Sequence, residues 1–583
     1  MKNEFPQVHP LGSRARVLLT SVFGPYAQDD EYGSRTINPM ELYQNQVTRV
    51  QGGFSLRMFH RSFGLLMIQD NITAPCTVLD FPTQERFVAE LRATGYDIIG
   101  IGAIYPNIGK VKAMCDLIRR YQPGAQIVIG GHIASREGLE TIVDADHIVR
   151  GEGVRWFQRY LGQDVTTPIK HPRVLSAFGS RMMGIDLGRR SGGTAAILIP
   201  SVGCPLGCNF CSTSALFGGK GNFVDFFATG DELFRVMSEI EAELKTRSFF
   251  VLDENFLHHK KRALRLLELM EEHDRNWALY VFSSARVLES YSLDQLVRLG
   301  ISWVWMGLEG KESAYDKLRG VDTRALVALL QSHGIRVLGS TIIGLEDHRP
   351  EGMDDVIAHA VSHATVFHQF MLYTPLPGTP LHERHRQDGS LIPEAEFPPA
   401  DAHGQYRFNY THRHITDGRE EGYLREAFRR DFAQNGPSIL RMIRVLLNGW
   451  QRYRMDPRDR IRSRIAREAA PLRTTYAGAV WAIRKWYRAD PPLRAAADAL
   501  LYDITAAFGW PTRLLAPLIG RYAFSALQKE TARLASGWRY EPPTLYERNA
   551  AALARERERS PQPSPLRLPV SPPAEASAVG IGK

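Results

Sequence analysis

Short apolar runs alternate with amphipathic stretches along the first part of the chain. Apolar runs predict strands at 16–20, 76–80, 96–102, 126–130 and 146–150. Helical spacing of apolar residues predicts helices at 86–94 and 108–121. Strands that alternate with helices are typical of a doubly wound parallel sheet, which binds ligands beyond the carboxyl ends of its strands. We therefore predict an α/β, Rossmann-like domain over residues 1–160.

A second alternating series follows residues 161–192, which have few apolar periods and are predicted to form a linker. Its predicted strands are 194–200, 249–253, 277–282, 303–309, 337–344 and 366–373. Six βα units in succession favour a βα barrel over residues 193–385. In such barrels the chemistry takes place at the carboxyl ends of the strands.

From residue 386 the pattern changes to amphipathic helices that are rich in Arg, Tyr and Trp. Helices are predicted at 423–432, 438–454, 475–487 and 493–508, within a mainly helical module that ends near residue 550. Pro, Ser, Ala and charged residues dominate 551–583, and this composition predicts a disordered tail.

Positive charge is concentrated in the helical module. Residues 441–490 contain 13 Arg or Lys and 4 Asp or Glu, a surplus that equals the net charge of +9 of the whole chain. Two interpretations stay open: a solvated helical cap on the barrel, or a basic surface for anionic membrane lipid or an anionic substrate. Nucleic acid is not expected as a partner, because no recognition module is visible.

The bulk composition is that of an ordinary water-soluble protein. The chain has 583 residues, of which 44% are hydrophobic and 23% charged, enough for two to four domains. No apolar run reaches about 18 residues, and the first residues lack an apolar signal core. With five cysteines, these features predict a cytoplasmic protein, with peripheral contact at the inner face of the membrane through the basic helices.

Three of the five cysteines, Cys204, Cys208 and Cys211, fall within eight residues. Pro205 and Gly207 between them favour a loop rather than a helix. A zinc knuckle usually needs a second short Cys or His motif, and Cys76 and Cys115 stand far upstream. A disulfide would be strained between thiols so close in sequence or would leave one unpaired. The spacing favours three ligands of one iron–sulfur cluster.

This run of cysteines, with Phe210 before the last one, resembles the signature of the radical SAM superfamily. The resemblance implies a [4Fe–4S] cluster whose open iron binds S-adenosylmethionine (SAM), within a partial (β/α)6 barrel. It also implies an external one-electron donor such as flavodoxin or ferredoxin, and reductive cleavage of SAM to methionine and a 5′-deoxyadenosyl radical. The expected cluster ligands are Cys204, Cys208 and Cys211.

Polar residues that follow the predicted barrel strands are the candidate SAM ligands. The run 253–255 resembles the superfamily motif that holds the SAM amino group, and Glu309 ends the fourth strand. Taken singly, each candidate has a plainer interpretation as a capping or turn residue. The full predicted set is Phe210, Asp253, Glu254, Asn255, Ser284, Arg286, Glu309 and Gly344.

The first domain resembles the cobalamin-binding domain that precedes many radical SAM barrels. The resemblance rests on two turns, Gly-Gly-His at 130–132 and Arg-Gly-Glu-Gly at 150–153. The Asp-x-His-x-x-Gly motif of many such domains is missing, and the loop 24–30 follows the first strand instead. The alternative is a Rossmann-like domain kept as a scaffold. The cobalamin-binding residues that the resemblance implies are Tyr105, Asn107, Gly130, Gly131, His132, Gly151, Glu152 and Gly153.

The resemblance leads to one main functional hypothesis and two alternatives. The main one is a cobalamin-dependent radical SAM enzyme that methylates an unactivated carbon of a lipid-like or natural-product substrate. The first alternative is a radical SAM enzyme that forms rings, rearranges a skeleton or couples carbons without methyl transfer. The second is a metal-stabilised binding protein. No catalytic residue beyond the cluster ligands is identified from the sequence.

Overall fold

The computed structural model describes residues 6–26, 31–32, 41–187, 194–310 and 315–559. Parts of three sequence predictions lie outside these residues: the end of the loop 24–30, the end of the linker 161–192, and residues 560–583 of the tail.

The N-terminal region forms a doubly wound sheet, as predicted. Its strands are β1 (Val17–Ser21), β3 (Cys76–Asp80), β4 (Ile98–Gly102), β5 (Gln126–Gly130) and β6 (His147–Ile148). Strand β2 (Arg57–His60) lies between β1 and β3 in sequence but belongs to a neighbouring small sheet. Its helices are α1 (Phe63–Asp70), α2 (Gln84–Ala93), α3 (Ile108–Tyr121) and α4 (Gly153–Tyr160). Strands β3, β1, β4, β5 and β6 lie side by side in that order, and all of these pairs are parallel.

Helices cover both faces of this sheet. Leu18 belongs to the core that includes residues of α2 and α3, whereas Leu19 belongs to the core on the opposite face with residues of α1 and α4. All five residues of β1 are buried. A strand that is buried on both faces appears as a continuous apolar run, which is why this strand could be predicted.

The predicted linker contains two strands. They are β7 (Ala177–Met182) and β8 (Ile185–Asp186). Strand β7 pairs antiparallel with both β2 and β8. Backbone hydrogen bonds to β2 therefore hold this segment against the N-terminal region.

The central region is a partial parallel βα barrel, as predicted. Its strands are β9 (Ala196–Leu198), β10 (Ser201–Val202), β11 (Val224–Asp225), β12 (Ser248–Val251), β13 (Ala278–Phe282), β14 (Ile301–Gly307), β15 (Arg336–Ile343) and β16 (Phe367–Leu372). Its helices are α5 (Ser212–Leu216), α6 (Gly230–Leu244), α7 (Lys260–Glu272), α8 (Ala285–Glu289), α9 (Leu293–Arg298), α10 (Thr323–Ser332), α11 (Met353–Val361) and α12 (Pro380–Gln387). Six parallel strands run in the order β9, β12, β13, β14, β15, β16, and β10 pairs antiparallel with β11.

Aromatic rings fill much of the barrel interior. The rings of Trp303 and Phe367 stack with centroids 5.5 Å apart, and those of Phe282 and Trp305 stack at 5.1 Å. A segment from before β2 packs onto the same side: Gln46 accepts a 2.9 Å hydrogen bond from Gln369 of β16. A cavity of about 260 Å³ remains beside these rings and is lined by Tyr43, Trp303 and Phe367, among others.

The C-terminal region is mainly helical and docks on the barrel. Its elements are α13 (Glu420–Asn435), α14 (Ser438–Tyr453), α15 (Asp459–Ala469), α16 (Thr475–Trp486), α17 (Pro491–Phe508), α18 (Trp510–Ala535), β17 (Leu545–Arg548) and α19 (Ala550–Arg559). Strand β17 pairs antiparallel with β3 and so becomes the edge of the N-terminal sheet. Helix α19 includes residues 551–559, where the sequence predicted the start of a disordered tail, so the helix extends further than predicted. Within the described residues, no helix is both long enough and apolar enough to cross a membrane.

Buried histidines should make the stability depend on pH. Burial lowers the pKa of His171 and His363 to about 4, and that of His368 and His403 to about 3. Since an unfolded histidine binds its proton near pH 6.5, the unfolded state takes up more protons as the pH falls from 6.5 towards 4. Each such histidine should cost the folded state about 2 kcal/mol at pH 5 relative to pH 8.

We therefore expect the midpoint temperature of thermal unfolding to decrease as the pH is lowered from 7 to 5. His368→Asn, which removes one titrating group, should flatten this dependence, whereas His258→Asn at an exposed position should leave it unchanged. A melting profile that is flat across this range would contradict the prediction.

Candidate functional site

The three clustered cysteines lie in the loop between β10 and α5, at the carboxyl end of the first barrel strand. Gly207 has φ +62°, and a Cβ at this position would lie 2.5 Å from the Cβ of Lys220, so the turn requires glycine. Cys211 caps α5, since its Sγ accepts a 3.4 Å hydrogen bond from the backbone nitrogen of Ser214. The Ser214 hydroxyl donates to the Cys204 carbonyl at 3.0 Å, which fixes the loop from its other end.

The thiols need a positive partner in order to ionise. Burial raises the pKa of Cys204 to about 11, and it also raises the pKa values of Cys208 and Cys211. A nearby ammonium, that of Lys317, opposes this rise at Cys208 and Cys211. Metal coordination deprotonates a thiol outright, so these three thiols, of which Cys204 is buried and the other two are partly exposed, fit the ligands of a metal cluster.

Within the part of the chain that the structure describes, no group of three or more His, Cys, Asp or Glu side chains is placed to hold one metal ion. A structural zinc ion would need four ligands around one point. A [4Fe–4S] cube offers a different iron to each thiolate, so the thiolates stay apart.

Lys317 is a residue of this site that the sequence did not identify. Its ammonium forms an ion pair with the Glu309 carboxylate and lies 5.3 Å from the ring centre of Phe210. Both side chains of the pair are largely buried. Lys317 follows Glu309 by eight positions. This closeness in sequence to a predicted ligand is the one signal that could have suggested a role for Lys317 in the site.

Four buried polar atoms near the cysteine loop have no hydrogen-bond partner among the described residues. They are Glu254 Oε2, Asn255 Nδ2, Ser284 Oγ and Glu309 Oε2. Burial also raises the pKa of Glu254 to about 7. Because a buried polar group without a partner is costly, these atoms indicate a site for a polar ligand such as SAM.

The run 253–255 divides into different roles. Asp253 is used within the protein: it pairs with Arg262 at 2.6 Å and accepts a hydrogen bond from Ser201. Asn255 accepts hydrogen bonds of 3.2 Å from the Ser283 hydroxyl and the Ser284 backbone nitrogen, which orients its amide. Glu254 lies between these two residues in the sequence, and its Oε2 has no hydrogen-bond partner among the described residues. Of the three, Glu254 and Asn255 therefore have groups available to a ligand.

The other predicted SAM residues are more dispersed. Phe210 packs edge-on against Tyr315, with ring centres 5.2 Å apart. Gly344 donates a 3.1 Å backbone hydrogen bond to His348, and a Cβ there would overlap the Phe408 ring. Arg286 is exposed on α8. The structure thus gives Gly344 a packing role and leaves Arg286 outside the buried group; their SAM contacts stay predictions.

A cavity of about 540 Å³ lies between the N-terminal sheet and the barrel. Glu254 and Thr213 line it from the barrel side, while Phe63, Ile68 and Phe157 contribute apolar wall from the other domain. Seven of the eight predicted cobalamin residues line this cavity: Asn107, Gly130, Gly131, His132, Gly151, Glu152 and Gly153. The cavity therefore joins the two predicted cofactor sites.

The eighth residue, Tyr105, faces another cavity. Its hydroxyl donates a 2.8 Å hydrogen bond to Glu394, which also pairs with Arg136 at 3.0 Å. Tyr105 is thus tied to the segment after the barrel. A role for it in binding cobalamin stays a prediction.

Glycine gives the cavity a wall that a flat ligand can approach closely. Gly131 has φ +87°, and a Cβ there would lie 2.5 Å from the Ala103 carbonyl oxygen. The adjacent His132 places its Nε2 3.1 Å from the Thr213 hydroxyl of α5, so the turn contacts the helix that follows the cysteine loop. Glu152 caps α4 through the backbone nitrogens of Val154 and Arg155. The wall is thereby held in place from both sides.

Comparisons with known proteins agree with this arrangement. The family model of the B12 binding domain matches residues 56–161. Bacteriochlorophyllide d C-8(2)-methyltransferase of Chlorobaculum tepidum is 25% identical over 368 residues, which cover 58% of this chain and 78% of the relative. Anaerobic magnesium-protoporphyrin IX monomethyl ester cyclase of Rubrivivax gelatinosus is 23% identical over 335 residues, which cover 49% of this chain and 58% of the relative.

Among solved structures, the radical SAM methyltransferase TsrM of Kitasatospora setae, with cobalamin and a [4Fe–4S] cluster bound, aligns with a TM-score of 0.48 at 14% identity. The alignment covers 78% of this chain and 99% of that one. The chain resembles radical SAM methyltransferases of the subclass with an N-terminal B12-binding domain. The B12-binding domain that the two glycine turns predicted is confirmed by the match of the family model.

Proposed function

We propose that this protein is a cobalamin-dependent radical SAM enzyme that methylates an unactivated carbon of a small-molecule substrate. The observation that carries the proposal is the shared cavity. It places the glycine wall of the B12-binding domain opposite Glu254, one of the four buried polar residues beside the cysteine loop. Cofactors that must exchange electrons and groups need such a common space, closed to water.

The residues present fit three cofactors. Cys204, Cys208 and Cys211 would hold a [4Fe–4S] cluster, Glu254, Asn255 and Glu309 would hold SAM, and the 130–132 and 151–153 turns would hold cobalamin. When bound, these groups supply an electron, a hydrogen-abstracting radical and a transferable methyl group.

The protein's own contribution is to orient and to exclude water. Asn255 is held by Ser283 and Ser284, so its free amide nitrogen has a defined direction. Lys317 holds one oxygen of the Glu309 carboxylate and offsets the negative charge of the thiolates. Apolar residues such as Phe63 and Phe157 line the shared cavity and would limit the access of water to reactive intermediates.

The substrate class follows from the cavity lining and from the relatives. The separate cavity of about 260 Å³ among the aromatic rings of the barrel has a mainly apolar lining, which supports a substrate that is largely apolar. One relative is named for a methyl transfer to bacteriochlorophyllide d, which supports a natural product with an extended ring system. A lipid-like substrate also fits an apolar wall. An external electron donor, flavodoxin or ferredoxin, stays part of the proposal.

A second candidate function is ring formation without methyl transfer. It is favoured by the relative named for cyclisation of magnesium-protoporphyrin IX monomethyl ester. Both functions use the same cluster and the same SAM site, so they differ only in the product. Incubation with SAM that carries a labelled methyl group distinguishes them: methylation transfers the label to the substrate, and cyclisation does not.

The corrinoid content tests the proposal directly. Protein purified without oxygen from cells supplied with cobalamin should contain about one corrinoid per chain, seen by its visible absorbance. Gly131→Val should abolish this binding, because a side chain at φ +87° is strained and would collide with the Ala103 carbonyl.

Gly124→Val is the matched control, because a Cβ at Gly124 meets nothing within 4 Å. Its corrinoid content should equal that of the parent. A parent protein that binds no corrinoid, while its cluster assembles normally, would reduce the first domain to a scaffold and contradict methyl transfer.

A further inference from the structure

The arginines that suggested a membrane contact have partners inside the protein. Arg441 of α14 pairs with the buried Asp431 at 2.8 Å, and Arg444 pairs with Asp503. Arg484 of α16 pairs with Asp498.

Helix α15 continues this pattern on the barrel side. Arg464 is buried, where it donates to the Val297 carbonyl at 3.1 Å and to the Ser302 hydroxyl at 2.9 Å. The basic segment 441–490 thus uses much of its charge to dock the helical module.

A different surface of the same module is exposed and apolar. Helix α18 presents large apolar residues at every fourth position, and α17 adds one more beside them. Their side chains are between 59% and 73% exposed, although large apolar residues are usually buried. We call this set the α17–α18 face; it consists of Tyr502, Trp510, Leu514, Leu518 and Tyr522.

The opposite side of α18 anchors the helix. Ala516, Gly520, Ala523 and Leu527 are buried, and a Cβ at Gly520 would lie 2.5 Å from the Trp481 ring of α16. The helix is therefore held rigidly with its apolar stripe outward. Residues four apart stack along one side of a helix, so Trp510 to Tyr522 forms a stripe about 18 Å long.

The charged residues of α18 that lie beside the stripe are positive. Arg513, Arg521 and Lys529 are exposed on α18, and residues 510–529 contain no Asp or Glu. The acidic residues of α17 are neutralised, since Asp498 and Asp503 pair with Arg484 and Arg444. An apolar stripe that contains Trp and Tyr and is flanked by arginines matches the composition of helices that lie in a bilayer interface.

We propose that the α17–α18 face docks the protein on an anionic membrane surface. Trp510, Leu514, Leu518 and Tyr522 would enter the boundary between headgroups and acyl chains, and Arg513 and Arg521 would contact the anionic headgroups. A second copy of the chain is a poorer occupant, because twofold pairing would set the positive residues of one face against those of the other. The proposal is independent of the proposed chemistry, since binding is measured without SAM or substrate.

Sedimentation of the full-length protein with vesicles tests the proposal. The vesicles are pure phosphatidylcholine, or phosphatidylcholine with phosphatidylglycerol. We expect the parent to partition onto the anionic vesicles at low salt and to leave them at high salt, because salt screens exposed charges. Leu514→Asn with Leu518→Asn should lower the partition coefficient by about tenfold or more.

Two further variants keep the test decisive. Arg513→Gln with Arg521→Gln should also lower the partition coefficient, by about 25-fold, since each arginine near an anionic surface adds roughly a fivefold gain. Met455→Asn, at a residue that is 82% exposed on another part of the surface, should bind as the parent does. Thermal melts establish that each variant is folded; should the leucine pair fail to fold, the arginine pair provides the test.

Three results would overturn the proposal. They are a parent that stays in the supernatant with anionic vesicles, a folded leucine variant that binds as tightly as the parent, and an arginine variant that binds as tightly as the parent. Velocity sedimentation without vesicles tests for a fourth result that would overturn the proposal. A dimer that the leucine substitutions dissociate would assign the face to a second copy of the chain.

Discussion

Replacing Cys208 by alanine is expected to abolish both assembly of the cluster and reductive cleavage of SAM. Three thiolates hold a [4Fe–4S] cube whose fourth iron stays open, so the loss of one thiolate removes a corner ligand. Anaerobic reconstitution of the parent should give about four iron and four sulfide ions per chain, together with the broad visible absorbance of the cluster. The Cys208→Ala protein should show neither, and Cys204→Ala and Cys211→Ala should behave in the same way.

Cys76→Ala and Cys115→Ala are the matched controls. Cys76 lies in β3 and Cys115 in α3, and both thiols are buried in the N-terminal domain. Burial raises the pKa of Cys115 to about 12, so this thiol stays protonated and is a poor metal ligand. Both variants should keep the cluster and cleave SAM. Cleavage of SAM by the Cys208→Ala protein would refute the assignment of the site.

The second prediction concerns Glu309. Its replacement by alanine should weaken SAM binding by about tenfold or more while the cluster still assembles. One carboxylate oxygen, Oε2, is buried and has no partner among the residues that the structure describes, and a charge-assisted hydrogen bond there is worth roughly 1–3 kcal/mol. Equilibrium dialysis of the reconstituted protein against SAM measures the change. The iron content of the same samples shows whether the site is otherwise intact.

Glu346→Ala provides a control at the same end of the barrel. Glu346 also follows a barrel strand, but its side chain is partly exposed and already pairs with Arg384. Its loss should leave SAM affinity unchanged. Equal affinity for the parent and the Glu309→Ala protein would give Glu309 a structural role as the partner of Lys317.

Lys317→Met separates the two members of this ion pair. The substitution keeps the length of the side chain but removes the charge that faces Cys208 and the ring of Phe210. If the ion pair only positions Glu309, then both variants should weaken SAM binding to a similar degree. If Lys317 also offsets the charge of the cluster, its variant should in addition make the cluster harder to reduce.

The strands that are buried on both faces could be predicted closely from the sequence. The runs 76–80 and 126–130 have the same bounds in the structure, since apolar residues dominate both runs and turn residues follow them. Strand β17 could not be predicted in this way. Its sequence, Leu-Tyr-Glu-Arg, has no apolar run, and it becomes a strand only because β3 offers it an unpaired edge.

The sequence favours a shared metal centre at the cysteine loop, because three cysteines in a short loop suit few other arrangements; the three ligands themselves stay a prediction. The SAM residues were harder, because a carboxylate after a strand is common and its partners lie far away in the sequence. Asp253 shows the difficulty: it stands in the expected run, but its oxygens bind Arg262 and Ser201. Lys317 is the opposite case: it was not among the predicted residues, and only the folded barrel brings its ammonium to Glu309 and Cys208.

The return of β17 to the first sheet has a consequence for biosynthesis. The B12-binding domain is completed by residues that leave the ribosome after the barrel and the helical module have been made. Until then β3 presents an open edge, and such edges pair readily with other chains. A fragment that ends after residue 160 should therefore aggregate where the whole chain does not.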